Sequence, residues 1–198
     1  MPLASTQTDI ANLALARLGH PPINDLDAGT EPARTLKELL APTVLEVQAD
    51  YEWPELTARA SLTLHEAGTT DHEENWSQYL IPRYCIRPIE LEDGYPFYLE
   101  GAYLRTSASS PVLRYVRYDE SPGSWSVQLA RSVYMALAVK VCMSITQNAT
   151  LLAALQAQYE RIDRPEAKVR AARGRSSTQY RPRWHNWIST RFRTGGRI

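Results

Sequence analysis

The stretch from Ser124 to about Arg173 constrains the fold more than any other, because it reads as two long helices back to back. Ser124 has the chemistry of an N-cap, a hydroxyl able to accept a free backbone N–H of the first turn. Leu129, Val133, Ala136, Leu137, Lys140, Val141 and Ser144 recur at three- and four-residue steps, and Val139, Cys142, Met143 and Ile145 widen the apolar face. A helix apolar on most sides has to be buried. After a break at Gln147-Asn148, Asn148 caps a second helix with Leu151, Leu152, Leu155, Tyr159 and Ile162 on one face. Pro165 fits only if that helix kinks or a new segment starts there. The link is short, so helices 124–147 and 148–173 are expected as an antiparallel hairpin that supplies the core.

Two further helices precede this hairpin. Over residues 6–18, Thr6 with Asp9 resembles a capping box, and Ile10, Leu13, Ala14 and Leu18 share one side. Gly19 can take the left-handed conformation that ends a helix, and Pro21-Pro22 stops any continuation. Ile23 to Gly29 is a loop, with Ile23 and Leu26 pinned to the core. The helix over 30–53 starts near Thr30, buries Leu36, Leu40, Val44, Val47 and Tyr51, should kink at Pro42, and ends at Trp53-Pro54.

From Thr57 the period switches to two, with Ala58, Ala60, Leu62 and Leu64 alternating against polar neighbours. His65 to Asn75 reads as a polar surface loop. Apolar runs around Tyr79, Ile86, Phe97, Leu104 and Leu113 follow, the last of them fitting a small antiparallel meander with turns at Glu100-Gly101 and Ser107 to Ser110. The expectation is a mainly α fold: a four-helix bundle with a small antiparallel β insert at about 57–118. The body covers 1–173, and an extended C-terminal arm covers 174–198.

The 198 residues carry 22 basic and 22 acidic side chains, but the charge is segregated. From Lys168 to Ile198 there are nine basic residues and no acid, so residues 1–167 carry a net −9. Cys85 and Cys142 lie far apart without a metal or redox spacing and read as small buried hydrophobes of a reduced compartment. No uninterrupted apolar run approaches the ~20 residues of a membrane span, and no basic segment followed by an apolar one suggests a signal peptide.

No catalytic or metal constellation stands out. His65, Glu66, His72, Glu73 and Glu74 invite a metal reading, but the histidines are seven apart, whereas a helical zinc site needs them four apart. His20 lies at a helix end and His185 in the arm, without a nucleophile and carboxylate nearby. Glu90, Glu92 and Asp93 read as an exposed acidic turn before Gly94 rather than as the paired acids of a glycosidase. No phosphate-binding glycine motif occurs. The expectation is therefore no enzyme, no metal and no cofactor.

The arm is the anomaly. Arg175, Arg181, Arg183, Arg191, Arg193 and Arg197 interleave with Tyr180, Trp184, Trp187, Ile188 and Phe192. A solvated tail is depleted in aromatics, whereas Trp, Tyr and Arg anchor interfaces. Either the arm wraps nucleic acid through phosphates and stacking, or it docks on a protein. The apolar spacing at 184, 187, 188 and 192 favours a protein.

The order of short motifs resembles phage head-to-tail adaptors of the tail tubular protein A-like family. Leu13-Ala14-Leu15-Ala16-Arg17-Leu18-Gly19-His20-Pro21-Pro22-Ile23 is similar to that family's opening helix and loop. Tyr51-Glu52-Trp53-Pro54 is similar to its aromatic corner. Leu80-Ile81-Pro82, Leu99 to Leu104, Tyr115-Val116 and the helical hairpin follow in order, so the resemblance covers about residues 6–173. Pro42 and the long arm depart from it. The resemblance implies a structural virion protein at the head–tail neck, made in the host cytoplasm. It implies a twelve-fold homo-oligomeric ring between the portal protein and a tail nozzle or other tail protein, lining a channel through which DNA passes. No membrane is involved, and the arm residues Tyr180, Arg181, Arg183, Trp184, Trp187, Ile188, Arg191, Phe192 and Arg193 are expected to dock on the portal. The alternative is a nucleic-acid-binding module acting through the same arm.

Overall fold

The computed structural model describes residues 3–67 and 76–173. The helices are α1 (Gln7–Leu18), α2 (Glu31–Asp50), α3 (Val127–Thr146), α4 (Ala149–Gln158) and α5 (Arg164–Arg173). A π-helical turn, Tyr159–Asp163, joins α4 to α5, so the last two run on as one rod. The strands are β1 (Thr57–Ser61), β2 (Thr63–Glu66), β3 (Ser77–Leu80), β4 (Cys85–Leu91), β5 (Phe97–Glu100), β6 (Tyr103–Thr106) and β7 (Val112–Arg117).

The mainly α expectation is overturned. Among the described residues, seven strands form two antiparallel sheets beside four helical rods, which makes the fold mixed. One sheet has the order β1-β7-β4 and the other β2-β3-β6-β5. The expected meander is only half present, because β5 and β6 form a hairpin whereas β7 lies in the other sheet between β1 and β4. The chain changes sheet within one residue at Leu62, whose N–H donates to the Pro111 carbonyl at 3.0 Å. Alternation shows that a segment is a strand and which faces it has; it does not choose the neighbour.

The β region is a layer with its own core. Leu91 and Leu113 of the three-stranded sheet pack with Leu104 of the four-stranded sheet, and Cys85, Phe97 and Tyr115 support them. The other face of the three-stranded sheet meets the helices through Val116, Ile86 and Ile89. Helices, first sheet and second sheet are thus stacked in that order.

The helical core follows the apolar periodicity. Ile10, Leu15, Leu36, Leu129, Met135, Leu137 and Val141 are fully buried around α3, which packs against α1, α2, α4 and α5. Helix α3 is long and apolar enough to cross a membrane, and its place at the centre of this core accounts for that composition. Its N-cap is Ser126, whose hydroxyl accepts from Leu129 N, and not Ser124. Ser124 instead closes a 3-10 turn and donates to Asp119 at 2.6 Å. Thr6 and Asp9 form the capping box, Gly19 ends α1 at φ 70°, and Asn148 caps α4 by accepting from Leu151 N. Pro165 stands just after the π turn, where the wider i→i+5 geometry has already interrupted the α-helical ladder.

Helix α2 ends at Asp50, three residues earlier than its sequence suggests. Trp53 is fully buried, and its indole N–H donates to the Val47 carbonyl at 3.0 Å. Arg87 of β4 donates to the terminal carbonyls of Ala49 at 2.9 Å and Asp50 at 3.2 Å, a cationic cap on the negative end of the helix. The side chain of buried Gln48 exchanges two hydrogen bonds with the backbone of Asp119, tying α2 to the segment after β7.

Candidate interaction surfaces

The arm residues Tyr180, Arg181, Arg183, Trp184, Trp187, Ile188, Arg191, Phe192 and Arg193 lie outside the described residues, as do His72, Glu73, Glu74 and His185. Residues His65 and Glu66 belong to β2 rather than to a loop. The His65 ring stacks on Tyr103 with centroids 4.5 Å apart. His20 bonds through Nδ1 to the Pro21 carbonyl. Glu90 of β4 pairs with Arg114 of β7 at 3.0 Å, and Glu92, just past β4, pairs with Arg59 of β1. Among the described residues no group of three His, Cys, Asp or Glu side chains converges as metal ligands would.

Three features of the described body merit chemical reading. The first is a groove of about 670 Å³ between α2 and the α4–α5 rod, floored by Val47, Ala136 and Val139. Arg164 reaches Asp50 at 3.3 Å across it and Glu160 at 3.0 Å one turn back on its own rod, and Lys140 pairs with Glu46. Burial, reinforced by Asp50, pushes the Tyr159 hydroxyl up to about 12. These charges are paired with one another, and among the described residues no serine, cysteine or histidine lines the groove. The arrangement ties three helices together.

The second is the π turn. It places Asp163 fully inside the protein, 2.7 Å from Arg131 Nε of α3. Arg131 also reaches Glu166 at 3.4 Å, while Arg17 of α1 donates to Tyr134 at 3.1 Å. Burial raises the Asp163 carboxyl above its ordinary value, and the Arg131 charge only partly offsets that. A raised carboxyl pKa means that the folded protein holds this proton more tightly than the unfolded chain. Its contribution to stability is therefore greatest at acid pH and falls as pH rises from the ordinary carboxylate range through the raised value. Asp163→Asn is expected to abolish this component. Urea unfolding from about pH 4 to pH 7 should show the stability of wild type, relative to the variant, declining with pH. A difference that is flat or rising would contradict the assignment.

The third is the four-stranded sheet, which covers the first sheet on one side and meets solvent on the other. Its outer face carries two stacked ring pairs, His65 with Tyr103 and Trp76 with Tyr98, the latter 4.7 Å apart. On the inner face one row crosses all four strands: Leu64 opposite Tyr79, Tyr79 opposite Leu104, Leu104 opposite Leu99. Tyr79 and Leu104 are buried, whereas Leu64 is 52% and Leu99 51% exposed. In the sequence Leu64 belongs to an alternating strand and Leu99 to a short motif, with nothing to link the two. The strand alternation carries each leucine, but only the strand order makes them the two ends of one row.

No protein-family model matches the chain, and a comparison with curated proteins finds no match.

Proposed function

We propose that this chain is a structural head-to-tail adaptor of a phage particle. In this reading twelve copies form a ring between the portal and a tail protein, around the channel through which DNA leaves the capsid. The observation that carries the proposal is the segregation of charge, a net −9 over 1–167 against nine basic residues and no acid beyond. A wall of negative bodies repels phosphate, which suits passage of DNA rather than its capture. The arm's Trp and Arg side chains are of the kind that anchor a protein interface. The motif order that resembles the tail tubular protein A-like adaptors supports the same reading.

The free protein is expected to be mainly monomeric and to assemble on its partner. The helical core gives each copy its own hydrophobic centre, and docking an arm costs ordering entropy that a template helps to offset. Sedimentation of the chain alone at micromolar concentration tests this, and a stable dodecamer would contradict it. The competing reading, nucleic-acid binding through the arm, makes a different prediction. It requires a gel shift with DNA or RNA that weakens steeply with salt; the adaptor reading requires little or none at physiological ionic strength.

A further inference from the structure

We propose that copies of this chain join edge to edge through the four-stranded sheet, with β5 of one copy pairing antiparallel beside β2 of the next. The inference deepens the adaptor reading by naming the contact between copies, and it rests on that reading only for the closure of the array into a ring.

Strand order and direction come first. Among the described residues β2 and β5 are the two edges of the sheet, and every neighbouring pair within it is antiparallel. With four strands, the two edges run in opposite directions. A copy placed beside another in the same orientation therefore continues the antiparallel alternation without a break. Such a contact is heterologous, each copy using a different edge on each side, and repetition of it generates rings when the rotation closes. A two-fold β5–β5 contact would close a dimer and leave both β2 edges uncovered.

Backbone direction gives the register. Ile81 N–H donates to the Ala102 carbonyl at 3.2 Å, one step past the Leu80–Tyr103 pair. Hydrogen-bonded pairs alternate along an antiparallel ladder, so Tyr79 and Leu104 are a hydrogen-bonded pair and spend their backbone groups on each other. The partners on their far sides, Leu64 and Leu99, consequently direct their own N–H and C=O groups away from the sheet. Leu99 of one copy opposite Leu64 of the next therefore makes a hydrogen-bonded pair in the alternation the sheet already has.

Side chains agree with that register. It joins the exposed ends of two apolar rows, extending Leu64–Tyr79–Leu104–Leu99 into the same row of the neighbouring copy. The two ends are exposed to nearly the same degree, as expected of surfaces that cover one another. The same register sets Glu100 opposite Thr63 and, because the bulge between Leu64 and Glu66 brings Glu66 into line with Gln78, Arg105 and Tyr98, sets Tyr98 opposite Glu66, so no like charges face each other. Lys and Pro, two of the residues that blunt an edge strand, are missing from Phe97–Glu100 and Thr63–Glu66, and the bulge between Leu64 and Glu66 lies beyond the Leu64 pairing point.

The test uses the full-length chain with Leu64→Cys and Leu99→Cys made singly. Wild type, in which Cys142 is buried and Cys85 half-buried, sets the background. The two variants are mixed in equal amounts and oxidised gently, both in the presence of portal rings and alone at high concentration. The expected product is a disulfide-linked heterodimer of the two variants, with neither variant linking to itself above background. The double variant should give a ladder of dimers, trimers and longer chains. Leu99→Lys, at a half-exposed site, should leave the unfolding midpoint unchanged and weaken assembly by about tenfold or more. Self-linkage of Leu99→Cys as the main product, or no linkage at all, overturns the proposal. Copies that cross-link while portal rings stay bare would uphold the edge pairing and refute the adaptor reading; rings assembled on the portal without the cross-link would do the reverse.

Discussion

Replacing Trp53 by Ala should cost about 3–5 kcal/mol of stability, a large part of the 5–15 kcal/mol typical of a domain. The indole is fully buried where α2 turns into β1, the joint between the helical layer and the first sheet. Its loss opens a cavity among the core side chains and removes the hydrogen bond to the Val47 carbonyl. It also removes the edge-on contact with Tyr51, whose ring centroid lies 5.8 Å away at 86°. Trp53→Phe keeps most of the volume and loses the N–H, so about 1–2 kcal/mol is expected for it. Denaturant unfolding measures both, and the order wild type, Phe, Ala at constant m-value is the predicted result. A loss below about 1 kcal/mol for the Ala variant would mean that the joint is not held by this side chain.

Deleting residues 176–198 is expected to leave a folded body that no longer joins the portal. Among the described residues, the side chains of both apolar clusters lie at or before Ala167, so the deletion touches none of them. The deleted residues hold Tyr180, Trp184, Trp187 and Phe192 together with Arg181, Arg183, Arg191, Arg193 and Arg197. Truncating one buried interface Trp costs on the order of 2–4 kcal/mol, or ~30- to 1000-fold in affinity. Trp184→Ala and Trp187→Ala are each expected to show a loss of that size in portal binding, with circular dichroism unchanged. Infectious particles built with the truncated chain, or a truncated chain that fails to fold, would remove the arm from its assigned role.

Much of the helical layer was legible in the chain, because its signals are local. Thr6 with Asp9, Gly19, Asn148 and the spacing of Leu36, Leu40, Val44 and Val47 each act within a turn or two, and each occupies the expected place. Ser124 misled because Ser126, two residues on, offers the same hydroxyl; the choice depended on Ser124 being held by Asp119. The β layer was under-read for a different reason. Short strands with half-buried faces carry the alternation of a surface hairpin, and nothing local to Leu62 says that the chain leaves one sheet there for another. Asp163 was invisible, since a carboxylate in a charged helix normally faces water, and only the π turn directs it inward beside Arg131. The row that ends in Leu64 and Leu99 needed the strand order before its two open ends could be recognised as belonging together.

Electron microscopy of the purified chain mixed with purified portal rings tests the central claim most directly. The account predicts a closed ring of twelve copies seated coaxially on the portal, with a channel wide enough for duplex DNA through its centre. Portal rings that remain bare in the presence of excess chain would contradict it, as would a chain that coats DNA and ignores the portal.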